Sequence, residues 1–461
     1  MLRIFSQYLS VRTLFLFMSE SLLIWGTIQL CSLVLLPGWQ DSGSLLYRAL
    51  FGTLICQVCF YYCDLYDGGI EKEKRRLFVR LCQALGICSV LWASVWLLFP
   101  RTSPERNALI LAAFILLGCL FAWRIGFVSW FDRKRRLGRS ILILGTSNMA
   151  RKLARAILDR SDLGIRIAGF IGEDPRLVGK SLVNPTVLGT ISDLGTIVAK
   201  EKIDEIVVAM PESRGTMPVT ELLDLKIRGV AIEDASTLYE RITGKIAVDD
   251  LRPSWLIFSP GFETSRWTLR TKRVFEVILS LFGLILSFPV MLVTAILIKL
   301  DSKGSVFFSQ ERVGKDGTII RIFKFRSMLT DAEQKTGPIW AVENDPRITR
   351  VGRIIRKLRL DELPQLINVL RGDMSLVGPR PERPHFVTQL ARRIPYYSQR
   401  HQVHPGVTGW AQVRYQYGAS VEDTIEKLQY DLYYIKNISI WLDLAILFQT
   451  LRIVLKGKGA R

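Results

Sequence analysis

The sequence predicts three structural parts: a bundle of four membrane-spanning helices, an α/β domain, and an α-rich domain held at the membrane by one further apolar segment. Apolar residues make up 49% of the 461 residues, and the mean hydropathy of +0.23 is high for a soluble protein of this size. These residues are clustered in the first quarter of the chain and in one later segment. The length itself favours two or three domains.

Four apolar stretches form the predicted membrane domain, residues 1–132. They cover residues 13–37, 45–66, 81–100 and 107–131, and about 20 helical residues are needed to cross the hydrocarbon core. The second stretch is marginal because Arg48 and Asp64 lie near its ends. The first is too long, and lies too far from the N-terminus, to be a removed signal peptide.

Basic residues in the loops predict the orientation of these spans. Residues 71–76 carry four basic residues and residues 133–139 carry five. By the positive-inside rule, both loops and the N-terminus face the cytoplasm. The net charge of +20 indicates contact with anionic lipid headgroups and phosphorylated substrates. No motif supports nucleic-acid binding.

Residues 139–250 are predicted to form a Rossmann-like α/β domain. SILILG is typical of a short buried strand that ends in Gly145, and MARKLARAIL is typical of an amphipathic helix. IRIAGFIGEDP, EIVVAMP and VAIED then alternate with helical stretches, as expected for a parallel sheet.

The dinucleotide-binding fingerprint of this domain is incomplete. Gly145 suits the tight turn, but Ser147 and Ala150 stand where the second and third glycines would be. Glu173 and Asp174 follow the second strand, where a ribose-binding carboxylate would lie. The open alternatives are dinucleotide binding, a regulatory role and a purely architectural role.

A fifth apolar segment, residues 277–298, has 22 positions without a charge and could cross the membrane on length alone. Pro289 lies inside it and favours a helix break. Basic residues flank both ends, which the positive-inside rule allows only if both ends are cytoplasmic. These residues are Arg270, Lys272, Arg273, Lys299 and Lys303. A helix that enters the membrane and returns fits these facts, whereas composition alone also allows an ordinary kinked span.

The string LDELPQLINVL places two acidic residues before a predicted helix. Pro364 suits the first turn of a helix, and an apolar stripe follows that ends near Gly372. Asp361 and Glu362 would then lie at the helix N-terminus, where free N–H groups and the helix dipole stabilise anions. A carboxylate that attacks phosphorus needs such a location. The alternative is that Asp361 only caps the helix.

Basic residues near this pair suggest a diphosphate site. The candidate substrate-phosphate-binding residues are Lys324, Arg326, Arg356 and Arg380. Arginine can bind phosphate in bidentate fashion, although each of these residues alone is also typical of a solvated surface. Phosphoryl transfer usually needs a divalent cation with oxygen ligands, which predicts Mg²⁺ at Asp361 and Glu362. Asp373 and Glu382 are weaker candidates for supporting the metal.

Four long strings in this region, together with the apolar segment, resemble the bacterial sugar transferase family, the monotopic phosphoglycosyltransferases. The strings are FFSQERVGKDG, IFKFRSM, LRLDELPQLINVLRGDMSLVGPRPE and HPGVTGWAQVRY. The similarity covers about residues 270–461. It implies a linker at 251–270, a re-entrant membrane helix at 271–300 and a catalytic domain at 301–461. It also implies that Asp361 is the nucleophile of a catalytic dyad with Glu362, and that the Pro-Arg-Pro motif around Arg380 binds substrate phosphate.

With the four spans and the α/β domain, the whole chain resembles the large members that prime exopolysaccharide or O-antigen synthesis. The resemblance implies transfer of a hexose-1-phosphate from a UDP-sugar to undecaprenyl phosphate, with release of UMP through an aspartyl intermediate. The expected location is a bacterial inner membrane, multi-pass, with the catalytic domain in the cytoplasm and in contact with membrane lipids. No string identifies the sugar, and a homodimer is left open.

Two other classes of function are considered. The chain could be a nucleotide-sensing membrane regulator or a scaffold of a polysaccharide-assembly complex. A transporter is disfavoured because Glu20 is the one charge noted away from the ends of the four spans. The apolar C-terminal stretch, residues 438–455, is interpreted either as an interfacial amphipathic helix or as a packed core helix.

Overall fold

The computed structural model describes most of the chain. The described residues are 2–4, 7–9, 11–35, 42–66, 73–98, 106–134, 139–160, 163–210, 217–250, 259, 261–329, 345–415, 418 and 420–457. Residues 251–258 of the predicted linker, and the basic residues Arg135 and Arg136, lie outside the described residues.

The N-terminal part is helical, after a short antiparallel pair of strands, β1 and β2. These strands cover Leu2–Ile4 and Gln7–Leu9. The helices are α1 Val11–Leu35, α2 Ser42–Tyr62, α3 Lys74–Leu98 and α4 Arg106–Lys134. Among the described residues, α1, α3, α4 and one later helix are long and apolar enough to cross a membrane. The apolar part of α2, Ala49–Tyr62, is shorter, in keeping with the marginal second span.

A buried ion pair joins α1 to α4 inside this bundle. The Nε of Arg124 lies 2.6 Å from Glu20 Oε1, and both side chains are fully buried. Tyr66 donates a hydrogen bond to Glu20 Oε2 at 2.8 Å. Arg124 lies within the fourth predicted span and was not singled out from the sequence. Because Glu20 is neutralised by a fixed partner, this pair supports packing of the bundle rather than an ion pathway.

The α/β domain contains a parallel sheet with helices, as predicted. The strands are β3 Arg139–Leu144, β4 Ile165–Gly172, β5 Val187–Thr190, β6 Glu205–Val208 and β7 Ala231–Asp234. Their order is β5-β4-β3-β6-β7, with every pair parallel. This is the strand order of Rossmann-type sheets. The helices are α5 Asn148–Asp159, α6 Leu194–Glu201, α7 Val219–Ile227 and α8 Ala235–Thr243.

The C-terminal domain combines helices with two small sheets. The antiparallel hairpin contains β8 Phe307–Val313 and β9 Ile319–Phe325, and the parallel pair contains β10 Ser375–Val377 and β11 Gly406–Thr408. The helices are α9 Arg266–Asp301, α10 Arg350–Lys357, α11 Gln365–Arg371, α12 Pro384–Arg393, α13 Trp410–Arg414, α14 Val421–Lys436 and α15 Ile440–Leu455. The largest core cluster includes Val369, Trp410, Tyr434 and Leu442.

Helix α9 contains the fifth apolar segment and runs without interruption through Pro289 for 36 residues. The predicted break at Pro289 is therefore not a gap in the helix. Apolar side chains such as Phe282, Leu286 and Val293 are each more than half exposed. A straight helix of this length would measure about 54 Å, well beyond the roughly 30 Å hydrocarbon core.

Both ends of α9 contact the C-terminal domain. Near its beginning, Arg273 donates to the carbonyl oxygens of Val369 and Leu370 in α11, at 2.7 and 3.1 Å. Near its end, Ile298 packs against Phe325 of β9 in a small buried cluster. Helix α9 thus contacts the C-terminal domain near both of its ends.

Candidate active site

The acidic pair lies in a tight turn between two helices. A one-turn 3-10 helix, Leu360–Glu362, follows α10 and leads directly into α11. Arg359 precedes it in the left-handed region, with φ 58° and ψ 19°. Pro364 is the N-cap of α11, and Gly372 ends that helix with φ 93°. The predicted helix is present, and the acidic pair precedes it by one turn.

A buried polar face attaches α11 to strand β9. Asn368 is fully buried, accepts a hydrogen bond from Phe323 N at 2.9 Å and donates to Arg321 O at 2.7 Å. The predicted apolar stripe of α11 is only partly buried, and one of its members, Leu366, lies against Gly283 of α9. Because Asn368 fixes β9 at two neighbouring backbone groups, it brings Lys324 to the acidic pair.

Glu362 gathers three cations. Arg380 Nη2 lies 2.8 Å and Lys324 Nζ 3.0 Å from Glu362 Oε1, and Arg359 Nη1 lies 3.6 Å from Oε2. Burial disfavours the charge of Glu362, but Arg380, Lys324 and Arg359 more than offset this and hold its pKa well below the usual value. Glu362 is therefore a fixed anion.

Asp361 has the opposite environment. Its residue is 8% exposed, and among the residues that the structure describes its side chain makes no hydrogen bond or ion pair. Burial and the neighbouring charge of Glu362 raise its pKa to about 6, although Lys324 and Arg356 act in the other direction. In the described part of the chain, the carboxyl group of Asp361 thus has no hydrogen-bond or ion-pair partner, and it lies beside the cations that bind Glu362.

The loop that carries Arg380 is held from both sides. The strings around Gly378 and Gly406 pack backbone against backbone, and a Cβ on Gly406 would overlap Gly378 N. The buried Arg400 donates to Arg380 O at 3.0 Å and to Asp431 Oδ2 at 2.8 Å. The backbone of Arg380 is therefore fixed while its guanidinium reaches Glu362.

Arg326 and Arg356 occupy different places. Arg326 is buried at the end of α9, where its Nη2 donates to Ser302 O at 2.7 Å, and no contact joins it to the acidic pair in the described part of the chain. Arg356 lies in the last turn of α10, and its charge lowers the pKa of Asp361. Arg356 thus acts on the acidic pair, whereas Arg326 anchors α9.

The two weaker metal candidates do not join the acidic pair. Asp373 accepts from Asn368 Nδ2 at 3.2 Å beyond the far end of α11, a helix about 10 Å long. Glu382 Oε2 lies 3.6 Å from Arg312 Nη1. Within the described residues, no group of three His, Cys, Asp or Glu side chains could hold a metal ion. A metal at Asp361 would take its further ligands from a bound substrate or from water.

Sequence reasoning did not single out Arg359 or Arg312. Burial lowers the pKa of Arg312 to about 10, with Glu362, Glu382 and Arg380 among the charges that act on it. Arg312 thus belongs to the same charged region. Both arginines lie inside strings that carried the family resemblance, and this was the one available signal.

Two of the candidate nucleotide-binding residues make contacts within the α/β domain. Ser147 caps α5 and donates to Ala209 O at 2.6 Å. Asp174 caps a short 3-10 helix, accepting from Arg176 N at 2.9 Å.

Two family models match the chain. The bacterial sugar transferase model matches residues 267–457, which include the acidic pair and the cation cluster, and a model described as a CoA-binding domain matches residues 62–225. Together with two relatives that match nearly the whole chain, the first of these models shows that the chain belongs to the bacterial sugar transferase family and is a transferase.

Named relatives of similar length support this conclusion. A UDP-glucose:undecaprenyl-phosphate glucose-1-phosphate transferase of Xanthomonas campestris pv. campestris is 42% identical over 455 residues, 91% of this chain and 92% of that protein. An enzyme of the same name from Escherichia coli (strain K12) is 33% identical over 440 residues, covering 91% and 90%.

A third relative is more similar over a shorter stretch. The UDP-N-acetylgalactosamine-undecaprenyl-phosphate N-acetylgalactosaminephosphotransferase of Aeromonas hydrophila is 49% identical over 225 residues, 48% of this chain. The match spans about half of that protein, 52% of its length.

Proposed function

We propose that this enzyme transfers a hexose-1-phosphate from a UDP-sugar to undecaprenyl phosphate, with release of UMP, as the initiating step of a bacterial surface polysaccharide. The proposal rests on the different contacts of the two acidic residues. Glu362 is bound by three cations, whereas the carboxyl group of Asp361 is uncommitted beside them. An uncommitted carboxylate in a positive region suits attack on a phosphate ester.

The proposed reaction has two balanced steps. A carboxylate oxygen of Asp361 attacks the sugar-bearing phosphorus, the bond from that phosphorus to the bridging oxygen breaks, and UMP leaves with that oxygen. A phosphate oxygen of undecaprenyl phosphate then attacks the same phosphorus, and the Asp361 carboxylate is released. The product is undecaprenyl diphosphate sugar. Each step replaces one phosphorus–oxygen bond by another.

The cations around Glu362 are proposed to receive the diphosphate. Lys324, Arg359 and Arg380 place three cationic side chains around Glu362, beside the carboxyl group of Asp361. Arg380 can offer a planar pair of donors to phosphate oxygens. Glu362 would keep these side chains oriented before the substrate arrives, which reduces the reorganisation needed at reaction.

Mg²⁺ is the proposed cofactor, with Asp361 as the better-suited protein ligand. Glu362 Oε1 is already bound by Lys324 and Arg380, so it has less capacity for a metal. Mg²⁺ commonly uses one or two carboxylates together with substrate phosphates and water. When bound, it would neutralise part of the diphosphate charge.

We propose that α9 is re-entrant, with both ends cytoplasmic. At its beginning, Lys272 Nζ lies 2.6 Å from Asp443 of α15. The end of α15 is tied to Asp64 through Lys456, and Asp64 precedes the basic loop that the positive-inside rule assigns to the cytoplasm. At the other end of α9, Asp301 accepts from Val351 N at 3.0 Å, near the acidic pair.

The decisive experiment omits the lipid acceptor. Purified enzyme is mixed with a UDP-sugar and Mg²⁺, and intact mass and released UMP are measured. We expect a phospho-sugar adduct and a burst of about one UMP per enzyme, both absent in Asp361→Asn. If the wild type turns over with acceptor but gives neither adduct nor burst, direct transfer in a ternary complex must replace the two-step scheme. A regulator or scaffold would release no UMP at all.

A further inference from the structure

Asp64 connects the membrane bundle to the last helix of the C-terminal domain. It lies in the turn after α2 with φ 63°, a left-handed conformation that Asp and Asn tolerate. Lys456 Nζ lies 2.5 and 2.6 Å from its two carboxylate oxygens. Arg452 pairs with the same carboxylate, and Arg80 Nη1 lies 3.1 Å from it. One half-buried carboxylate thus joins three cations from two parts of the chain.

Aromatic side chains extend this contact. The ring of Phe448 in α15 lies 4.9 Å from the ring of Tyr61 and 5.0 Å from that of Tyr62, measured between centroids. Arg452 lies over the Tyr61 ring at 5.0 Å. The contact therefore combines an ionic centre with packing of aromatic rings, which makes it more specific than an isolated surface ion pair.

Helix α15 also holds the strands on either side of the Arg380 loop. Thr450 Oγ1 lies 2.7 Å from Thr408 Oγ1 in β11. Asp443 lies 2.9 Å from the Tyr434 hydroxyl, which in turn lies 2.8 Å from Val377 O at the end of β10. Contacts therefore continue from the membrane bundle through α15 to the strands whose loop carries the arginine of the candidate site.

We infer that Asp64 is a positioning residue of the enzyme: it fixes α15 against the membrane bundle, and α15 holds the β10–β11 pair so that Arg380 stays on the acidic pair. The N-terminal bundle then contributes to the site besides attaching the chain to the membrane. The effect on activity rests on the proposed function, whereas the contact itself does not. No contact between Asp64 and substrate is required.

The test uses Asp64→Asn in the full chain, reconstituted in lipid nanodiscs. Asparagine keeps the size and the left-handed preference but removes the charge. Glu73→Gln is the matched control, because Glu73 pairs with Arg76 at 2.9 Å on the same side of the bundle and both side chains are more than half exposed. We expect amide hydrogen exchange in residues 448–455 to rise about tenfold in Asp64→Asn. In Glu73→Gln it should not change.

The positioning role is read from kinetics. In Asp64→Asn, KM for the UDP-sugar should rise about tenfold with a smaller change in kcat, because the phosphate-binding loop loosens. Adding Lys456→Met to Asp64→Asn should cost little more, since the two charges act as a unit.

Unchanged exchange in α15 would overturn the contact. Raised exchange with unchanged KM would overturn the positioning role. If the wild type releases no UMP, the proposed function is refuted. The exchange measurement would still show whether Asp64 fixes α15.

Discussion

Arg380 donates a hydrogen bond to Glu362 Oε1 across 2.8 Å, and in the described part of the chain no residue does the same for Asp361 beside it. The two adjacent carboxyl groups therefore respond differently to the same surroundings. Arg380 and Lys324 help hold the pKa of Glu362 low, whereas burial and the charge of Glu362 raise the pKa of Asp361 to about 6. Such a divergence is how active sites assign different roles to neighbouring acids.

Substitutions of the two acids should change stability in opposite directions. Glu362→Gln leaves three cations facing a neutral side chain, so the unfolding free energy should fall on the order of 2 kcal/mol and Tm by about 4–8 °C. Asp361→Asn removes a buried charge that its neighbour repels, so Tm should stay equal or rise. Both variants should lose UMP release. Thermal unfolding in detergent at pH 7.5 measures this, and a lower Tm for Asp361→Asn than for Glu362→Gln would contradict the assignment.

Activity should depend on the ionisation of Asp361. Its pKa is raised to about 6, so kcat/KM should fall tenfold per pH unit below about pH 6 and level off above it. The same shift lowers the stability of the folded state as the pH rises from about 4 to about 6, because the folded form still holds a proton that the unfolded chain has released. The check is kcat/KM measured about every half pH unit between pH 5 and 8. A value that stays constant over this range would count against Asp361 as the nucleophile.

Arg356 offers a way to move that profile. Its charge lowers the pKa of Asp361, so Arg356→Gln should shift the acidic limb of kcat/KM to higher pH. Arg353→Gln is the control, since Arg353 is exposed on the same helix and is not one of the main charges that shift the pKa of Asp361. An equal shift in both variants would mean that general surface charge, rather than Arg356, determines the pH at which kcat/KM falls.

The sequence predicted the local structure around the acidic pair better than its contacts. Pro364 and Gly372 bound the helix because each acts through its own backbone preference, which needs no partner. The burial of Asn368 could not be predicted in this way. An asparagine is buried only where another segment supplies hydrogen-bond partners, and the backbone of β9, more than 40 residues earlier in the chain, supplies them.

Dependence on distant segments also explains why the positions of the cations were not predicted. Lys324 and Arg326 lie two positions apart, but of the two only Lys324 contacts Glu362. Arg326 follows the end of β9 and donates instead to Ser302 O at the end of α9. Arg124 was overlooked in the fourth span because its partner, Glu20, is more than 100 residues away. Charge partners that are distant in sequence depend on tertiary packing.

The two ends of α9 should be accessible from one side of the membrane. All seven native cysteines lie within the first 119 residues and can be replaced. Arg270→Cys and Lys303→Cys, both at exposed positions, should then react with an impermeant maleimide only from the cytoplasmic face. Glu73→Cys, in the loop that the positive-inside rule assigns to the cytoplasm, and Ser103→Cys, in the loop on the opposite side of the third predicted span, serve as references for the two faces. Labelling at position 303 only from the periplasm would show that α9 crosses.

A buried ion pair should couple the α/β domain to the C-terminal domain. Lys436 Nζ of α14 lies 2.7 Å from Glu240 Oε2 of α8, and both side chains are buried. Either Glu240→Gln or Lys436→Met alone should lower the unfolding free energy on the order of 3 kcal/mol, because one charge of the pair stays buried after the opposite charge is removed. The double variant should lose less than the sum. Strict additivity in thermal unfolding would contradict this coupling.

Mg²⁺ should bind strongly only when a nucleotide is present. The described residues offer no group of three acidic, histidine or cysteine side chains, and Glu362 is already held by cations, so Asp361 supplies one carboxylate at most. Substrate phosphates and water would then complete the coordination. With Mn²⁺ as the spectroscopic probe, UDP should increase the metal affinity at least about tenfold in the wild type and much less in Asp361→Asn. Chelation should abolish UMP release, and added Mg²⁺ should restore it. Tight Mn²⁺ binding without nucleotide, or full activity in excess chelator, would refute this arrangement, because the protein would then hold the metal through other groups or need none.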